Sequence, residues 1–245
     1  SMTLQLRHET PDDVAAIEAV TVAAFADAPH TSHTEQFIVR ALRAAGELTL
    51  SIVAEEHGQV VGHVALSPVT ITDDHGREAQ GWYGLGPISV LPPRQGNGIG
   101  SRLMEQALSE LRAMQAAGCV LLGDPAYYAR FGFEAHAGLQ LPGVPPGYFM
   151  ALALHGPVPE GVAHYSDAFN APPERARRRR RSDSAVGLNT GRGHRRARIC
   201  ISPRPGRNGL GAVLFGLFLR LDEPPYGTRQ GAARDGVNVG QVGTG

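Results

Sequence analysis

The 245-residue chain contains no lysine, so all 23 of its basic residues are arginine, against 23 acidic ones. A phosphate loop ending in Gly-Lys-Ser/Thr is therefore excluded. Cysteine is nearly absent too: Cys119 and Cys200 stand alone, far apart. They make no disulfide framework, and a reducing, cytoplasmic setting is expected. None of the ten histidines pairs with cysteine at metal-ligand spacing, so no metal site is expected. Long apolar runs are missing as well. The nearest, residues 210–219, is too short to span a bilayer and is followed by Arg220. No secretory leader is expected, because Leu4 and Leu6 are followed at once by charged residues, and Ser1 ahead of Met2 reads as a cloning remnant.

Charge is balanced overall but unevenly placed. Residues 1–170 carry 8 arginines and 18 acidic residues, whereas residues 171–245 carry 15 arginines and 5 acidic residues. The reversal puts a boundary near Ala171: a folded domain over 1–170 and an Arg/Gly/Pro-rich tail over 171–245.

Periodicity and turn residues divide the first part into elements. A strand is expected over residues 3–8, then a helix opened by Thr10-Pro11-Asp12-Asp13, with a Thr cap, proline at the first position and acids in the first turn. A second helix over 34–45 is closed by Gly46, and residues 48–55 and 59–71 read as a hairpin about His57-Gly58. The strand over 82–91 contains Gly84, Gly86 and Pro87; proline gives a ladder no donor, so this strand must be bulged or splayed. A helix over 98–117 stopped by Gly118, a strand over 119–122, a short helix over 126–131 and strands from 133 and over 148–154 complete a mixed α/β sheet with helices on its faces.

Between the proline-broken strand and the following helix lies Gln95-Gly96-Asn97-Gly98-Ile99-Gly100. A glycine-rich strand-to-helix turn offers converging backbone N–H groups and the positive end of a helix dipole to an anion. A dinucleotide fingerprint needs a sixth-position glycine; counting from Gly96 gives Ser101 and from Gly98 gives Leu103. What remains is Gln-x-x-Gly-x-Gly. It resembles the acetyl-CoA pyrophosphate loop of the GNAT superfamily of N-acetyltransferases. The stretch from Leu85-Gly86-Pro87-Ile88 through Gly123-Asp124-Pro125-Ala126-Tyr127-Tyr128 to Arg130-Phe131-Gly132-Phe133 is similar to the YhbS-like branch, and the element order agrees over about residues 3–155.

The resemblance implies a GNAT fold: a mostly antiparallel sheet, splayed where the pantetheine arm of acetyl-CoA lies. It implies pantetheine contacts from the strand Ile88, Ser89 and Val90, through the backbone of Ile88 and Val90, and pyrophosphate contacts from the amides of Gln95, Gly96, Asn97, Gly98, Ile99 and Gly100, with Ser101. The loop's usual first basic residue is Arg94, displaced by one, and Gly96 replaces a common arginine, so the backbone carries this site. Tyr128 stands where the family often places the acid that protonates the departing CoA thiolate, a task a phenol suits. Asp124 either orients substrate or anchors the turn through Pro125. The general base stays open: His63 reads as a satisfied histidine, Glu55 and Glu56 as solvated, and deprotonation through water is equally compatible.

The expected function is acetyl transfer from acetyl-CoA to a primary amine, on a small molecule or a protein, directly within a ternary complex. The acceptor pocket is expected near residues 25–34 and 136–148. The acidic balance of the first part favours a cationic acceptor by steering. A homodimer stays open. The rivals are a non-catalytic acyl-CoA sensor and polyanion binding through the tail. For the tail three readings stand: binding of nucleic acid or another polyanion, folding back onto the acidic domain, and non-selected sequence such as a shifted reading frame or an added extension; the last is preferred because the tail has no lysine, many Arg, Gly and Pro, and no periodicity, while the interleaved aromatics expected of single-strand binders are absent between Pro172 and Leu214.

Overall fold

The computed structural model describes residues 3–28 and 33–170. The tail from 171 onward and the readings placed on it lie outside the described residues.

The chain starts as β1 (Gln5–His8), the edge of the main sheet. Thr10 is extended and caps a helix start; its N–H donates to Asp13 Oδ2 at 2.7 Å, and Pro11 occupies the first position. This turn runs into α1 (Val14–Phe25), which buries Ile17, Val20 and Phe25. Helix α2 (Glu35–Ala45) ends at Gly46, whose left-handed backbone (φ 71°) turns its N–H back to Arg43 O. The hairpin of β2 (Leu50–Glu56) and β3 (Gln59–Thr72) turns at His57-Gly58 as expected. A short β4 (Glu78–Ala79) precedes β5 (Trp82–Val90).

Then come α3 (Ile99–Ala113), β6 (Gly118–Leu122), α4 (Pro125–Tyr128), β7 (Leu139–Gln140), β8 (Phe149–Ala153) and β9 (Gly161–Tyr165). The main sheet runs β1-β2-β3-β5-β6-β8. Its neighbours are antiparallel except β5 and β6, which are parallel because α3 crosses between them. The far end of β3, Val69–Thr72, pairs instead with β9.

Helices cover both faces. On one, α3 presents Ile99, Leu103, Met104, Ala107, Leu108 and Leu111 to Leu66, Ile88, Val90 and Leu121. Each fully buried side chain of this size contributes roughly 1.5–3 kcal/mol. On the other, Phe25, Ile38 and Leu42 of α1 and α2 pack over Val69, Trp82, Val120 and Phe149.

Two expectations are corrected. Helix α3 stops at Ala113, four residues earlier than expected, because Gln115 takes a left-handed backbone (φ 59°); Gly118 opens β6, under the Trp82 ring. Where a strand was expected from 133, residues 133–138 make only a bridge, Glu134 to Ala151; the two-residue β7 follows, and the closing strand is the unexpected β9.

Candidate active site

The register of β5 against β3 shows what Gly86-Pro87 does. Val64 pairs with Ile88 and Leu66 with Leu85, so Gly86 and Pro87, joined by a cis peptide, oppose the single residue Ala65. The extra residue puts Leu85 and Ile88, three apart, on the same face; a strict two-residue alternation would have turned Ile88 and Val90 away from α3. On its other side β5 pairs with β6 for only three rungs, ending at Gly84 with Val120. Beyond that point the strands part. The Leu91 N–H donates toward β3, to Val61 O at 2.9 Å, so by alternation the backbones of Ile88 and Val90 face the gap and that of Ser89 faces β3.

At the end of this edge stands the glycine loop. Gly96 (φ 76°) and Gly98 (φ 75°) both have left-handed backbones, and Gly98 is the N-cap of α3. The first bond back from the helix is Arg102 N–H to Gly98 O at 3.1 Å, so the N–H groups of Ile99 and Gly100 are left to the loop's mouth. A Cβ on Gly98 would meet nothing within 4 Å, so the cradle opens on free space. The loop braces itself from within: Gln95 Nε2 donates to Val90 O at 3.0 Å, and Asn97 Nδ2 to the carbonyls of Arg94 and Gln95 at 3.1 Å. Ile99 is buried and anchors the helix start. Arg94 turns away from the mouth and pairs with Glu56.

Beyond β6 the Asp124 carboxylate accepts the Ala126 N–H at 2.9 Å and caps α4, with Pro125 at the first position. The helix seats Tyr128 against Gly123: a Cβ there would fall 2.1 Å from the ring. Tyr128 is buried, edge-on to Tyr127 at 4.8 Å. The next turn sends the Arg130 guanidinium over the Tyr127 ring, 4.0 Å from its centroid, and across to α3, where it donates to Ser101 Oγ at 2.8 Å.

On the α1/α2 face, at the same end of β6, lies a cavity of about 640 Å³ walled by His136, Leu139, Leu141, Pro142, Val144 and Phe149. Phe149 pairs with Leu122, and Gly123 N–H donates to Tyr148 O at 3.0 Å, so the cavity wall and the Tyr128 seat flank one strand end. Much of the 136–148 stretch lines this cavity; residues 29–32 of the other expected segment lie outside the described residues.

Deeper on that face His63 is fully buried, opposite Ser89. Its Nε2 is 2.8 Å from Ser51 Oγ, which donates to Glu9 Oε2 at 2.6 Å; Glu9 is paired with Arg43. A hydroxyl has one proton, so with Ser51 donating to Glu9 the His63 Nε2–H must be the donor to Ser51. Burial pulls His63 down to about 4, with Arg43 adding to the effect and Glu9 opposing it. The histidine is neutral at neutral pH and walled off in the core, although its Nδ1 lacks a hydrogen-bond partner. Glu55 and Glu56, expected to be solvated, are instead tied to Arg7 and Arg94. Among the described residues no group of three or more His, Cys, Asp or Glu is placed to hold a metal ion, and no helix is long and apolar enough to cross a membrane.

Residues 47–135 match the acetyltransferase (GNAT) domain family. Over 172 residues the chain is 36% identical to the uncharacterized N-acetyltransferase YhbS of Escherichia coli K12, covering 67% of this chain and 98% of that one. The chain belongs to the GNAT acetyltransferase family. A GNAT acetyltransferase from Brucella melitensis, solved in complex with acetyl-CoA, superposes with a TM-score of 0.60 at 50% identity, covering 68% of this chain and 98% of that one. Escherichia coli YhbS, solved with CoA, gives a TM-score of 0.61 at 35% identity over 69% and 93% of the two chains.

Against this GNAT frame the expected site residues divide. Ile88 and Val90 line the gap, and Gln95 through Ser101 form the loop and first helical turn. Ser89 does not turn to the gap; its backbone pairs with His63 and its side chain is buried behind the sheet. Arg94, the loop's one basic side chain, is engaged elsewhere. Arg130 was missed. It lies in the Tyr-x-x-x-Gly-Phe stretch, but its contact with Ser101 spans 29 residues and no local pattern announces it.

Proposed function

We propose that this GNAT enzyme moves the acetyl group of acetyl-CoA to a primary amine by direct transfer in a ternary complex. The observation that carries the reading is the gap beyond Gly84 and Val120, with the backbone cradle on the α3 side and the 640 Å³ cavity on the opposite face. The Brucella and Escherichia coli relatives solved with acetyl-CoA and CoA support the choice of co-substrate. The open space before Gly98 and the helix-end amides suit a diphosphate, and the backbone edge of Ile88 and Val90 suits the amides of the pantetheine arm. The amine, neutral when it attacks, approaches from the cavity. Its nitrogen bonds to the thioester carbonyl carbon, the C–S bond breaks, the sulfur takes a proton from the Tyr128 hydroxyl, and the nitrogen gives up a proton through water. Asp124 acts through α4, holding the turn that seats Tyr128.

The cavity's described lining holds no carboxylate and no guanidinium. That favours an acceptor with an apolar body, and outweighs the general acidity of the domain as a guide to the substrate. The test is thiol release from acetyl-CoA against a panel of primary amines graded from aryl and alkyl amines to polyamines, with the full chain and with residues 1–170. Release with apolar amines in both proteins is expected. Acetyl-CoA binding without release for any amine would make the protein a sensor, and loss of activity on truncation would put the tail inside the enzyme.

A further inference from the structure

We infer that His136 is the general base of the proposed transfer: its imidazole receives, by way of water, the proton that the amine nitrogen gives up. The inference rests on the cavity being the acceptor site. The described lining of that cavity is glycine, alanine, proline and apolar side chains, with two exceptions, His136 and Gln140. An amide is not a base, so the imidazole is the one side chain of this wall able to take up a proton. The other candidates are placed otherwise. His63 is sealed in the core, and Glu55 and Glu56 are tied to Arg7 and Arg94. The Asp124 carboxylate accepts the Ala126 N–H, and Glu134 is exposed and does not line the cavity.

Backbone fixes the place of the histidine. Two residues before it, Glu134 exchanges both backbone hydrogen bonds with Ala151 of β8, at 3.1 and 2.8 Å, and the His136 carbonyl accepts the Leu139 N–H at 3.1 Å. The wall continues to Phe149, which pairs with Leu122 at the end of β6. The next residue, Gly123, seats the Tyr128 ring. Acid and base thus flank one strand end, the sulfur served from one side and the nitrogen from the other. An amine that has bonded to the thioester carbonyl carbon carries a positive charge, and its N–H becomes acidic enough for an imidazole to accept. The apolar wall offers that charge no carboxylate, so shedding the proton is favoured over keeping it. As the C–S bond breaks, Tyr128 gives its proton to sulfur and His136 holds the one from nitrogen. The half-buried imidazolium then returns its proton to water, and the phenolate recovers one from water.

The experiment is acetyl transfer by the full chain to the fastest acceptor of the graded amine panel, with 2-phenylethylamine as the first probe, followed as the N-acetylated amine. Wild type is compared with His136→Gln and His136→Ala, beside calorimetry with acetyl-CoA. Loss of a positioned base predicts kcat lower by about 10²-fold or more in both variants, with the acetyl-CoA Kd unchanged. Added imidazole is expected to raise His136→Ala turnover severalfold, which a ring that only packs would not allow. Wild-type kcat in His136→Gln overturns the assignment. So does a loss that imidazole leaves untouched, or one accompanied by weaker acetyl-CoA binding, since either marks damage to the loop. Should His136→Ala not fold, the split between kcat and acetyl-CoA Kd in His136→Gln decides alone. Wild type that binds acetyl-CoA and acetylates no amine of the panel would instead refute the transferase reading itself.

Discussion

Tyr128 gains its position from a residue that contributes no side chain. The ring lies where the Cβ of any other amino acid at position 123 would be, and it is held edge-on by Tyr127 and, at 6.4 Å between ring centroids, by Phe133. A phenol so confined can deliver a proton to one place only, so its contribution should appear in turnover and not in cofactor affinity. Tyr128→Phe keeps the ring contacts and removes the hydroxyl. It is expected to lower kcat by roughly 10²–10⁴-fold, the usual worth of a positioned acid, while the acetyl-CoA Kd stays unchanged. Steady-state kinetics beside calorimetry separate the two, and wild-type turnover in the variant would remove the acid role. The sequence pointed to Tyr128 through a resemblance, and to Asp124 as either catalyst or anchor. The carboxylate's hydrogen bond to Ala126 N–H favours the anchor; the contact that seats Tyr128 on Gly123 is a packing fact that no residue spacing reveals.

Among the elements, those whose ends are set by backbone chemistry were legible. Proline at position 87 demanded an interruption in β5, and the bulge against Ala65 is that interruption. Gly46 demanded a helix end, and α2 ends there. The end of α3 was not legible, because Gln115 takes its left-handed backbone with no glycine to announce it. Nor was β9, whose five residues owe their strand to the far end of β3 and not to a pattern of their own. The element that matters most to the proposed chemistry is the loop into α3, which depends on backbone alone. Gly98→Val should therefore fail in two measurable ways. A branched side chain at φ 75° strains the backbone, costing about 1–2 kcal/mol in unfolding free energy. It also projects into the free space before the amides, so acetyl-CoA binding should be lost in calorimetry even where the variant is folded. Wild-type affinity would show that the phosphates lie elsewhere.

At the scale of the whole molecule, the sheet separates two environments. The α3 face meets the cradle; the α1/α2 face carries both the cavity and a buried polar chain that links β3, β2 and α2 through His63, Ser51, Glu9 and Arg43. The sequence read His63 as a satisfied histidine of the core or the surface, whereas its Nδ1 lacks a partner among the described residues. The histidine's burial agrees, but the chain to Arg43 runs through contacts between residues 12, 42 and 34 positions apart and was invisible to local patterns. This chain makes the fold sensitive to acid in a predictable window. His63 is held near 4 in the folded protein and returns to its ordinary value of 6.5 on unfolding. Between those values the unfolded chain binds a proton that the folded one refuses, so stability falls as pH drops from about 6.5 toward 4. Glu9 is shifted the same way: burial raises it, but the hydrogen bonds from Arg43 and Ser51 outweigh that and leave it below 4.5. Its stabilising share is therefore lost only below 4.5, and the window above that belongs to the histidine. Urea unfolding of the full chain should show a loss of about 2 kcal/mol between pH 7 and pH 5. His63→Gln keeps a donor for Ser51 and removes the titration, so its unfolding free energy should be nearly flat over the same interval. An equal pH slope in the variant would mean that the acid sensitivity arises elsewhere in the chain.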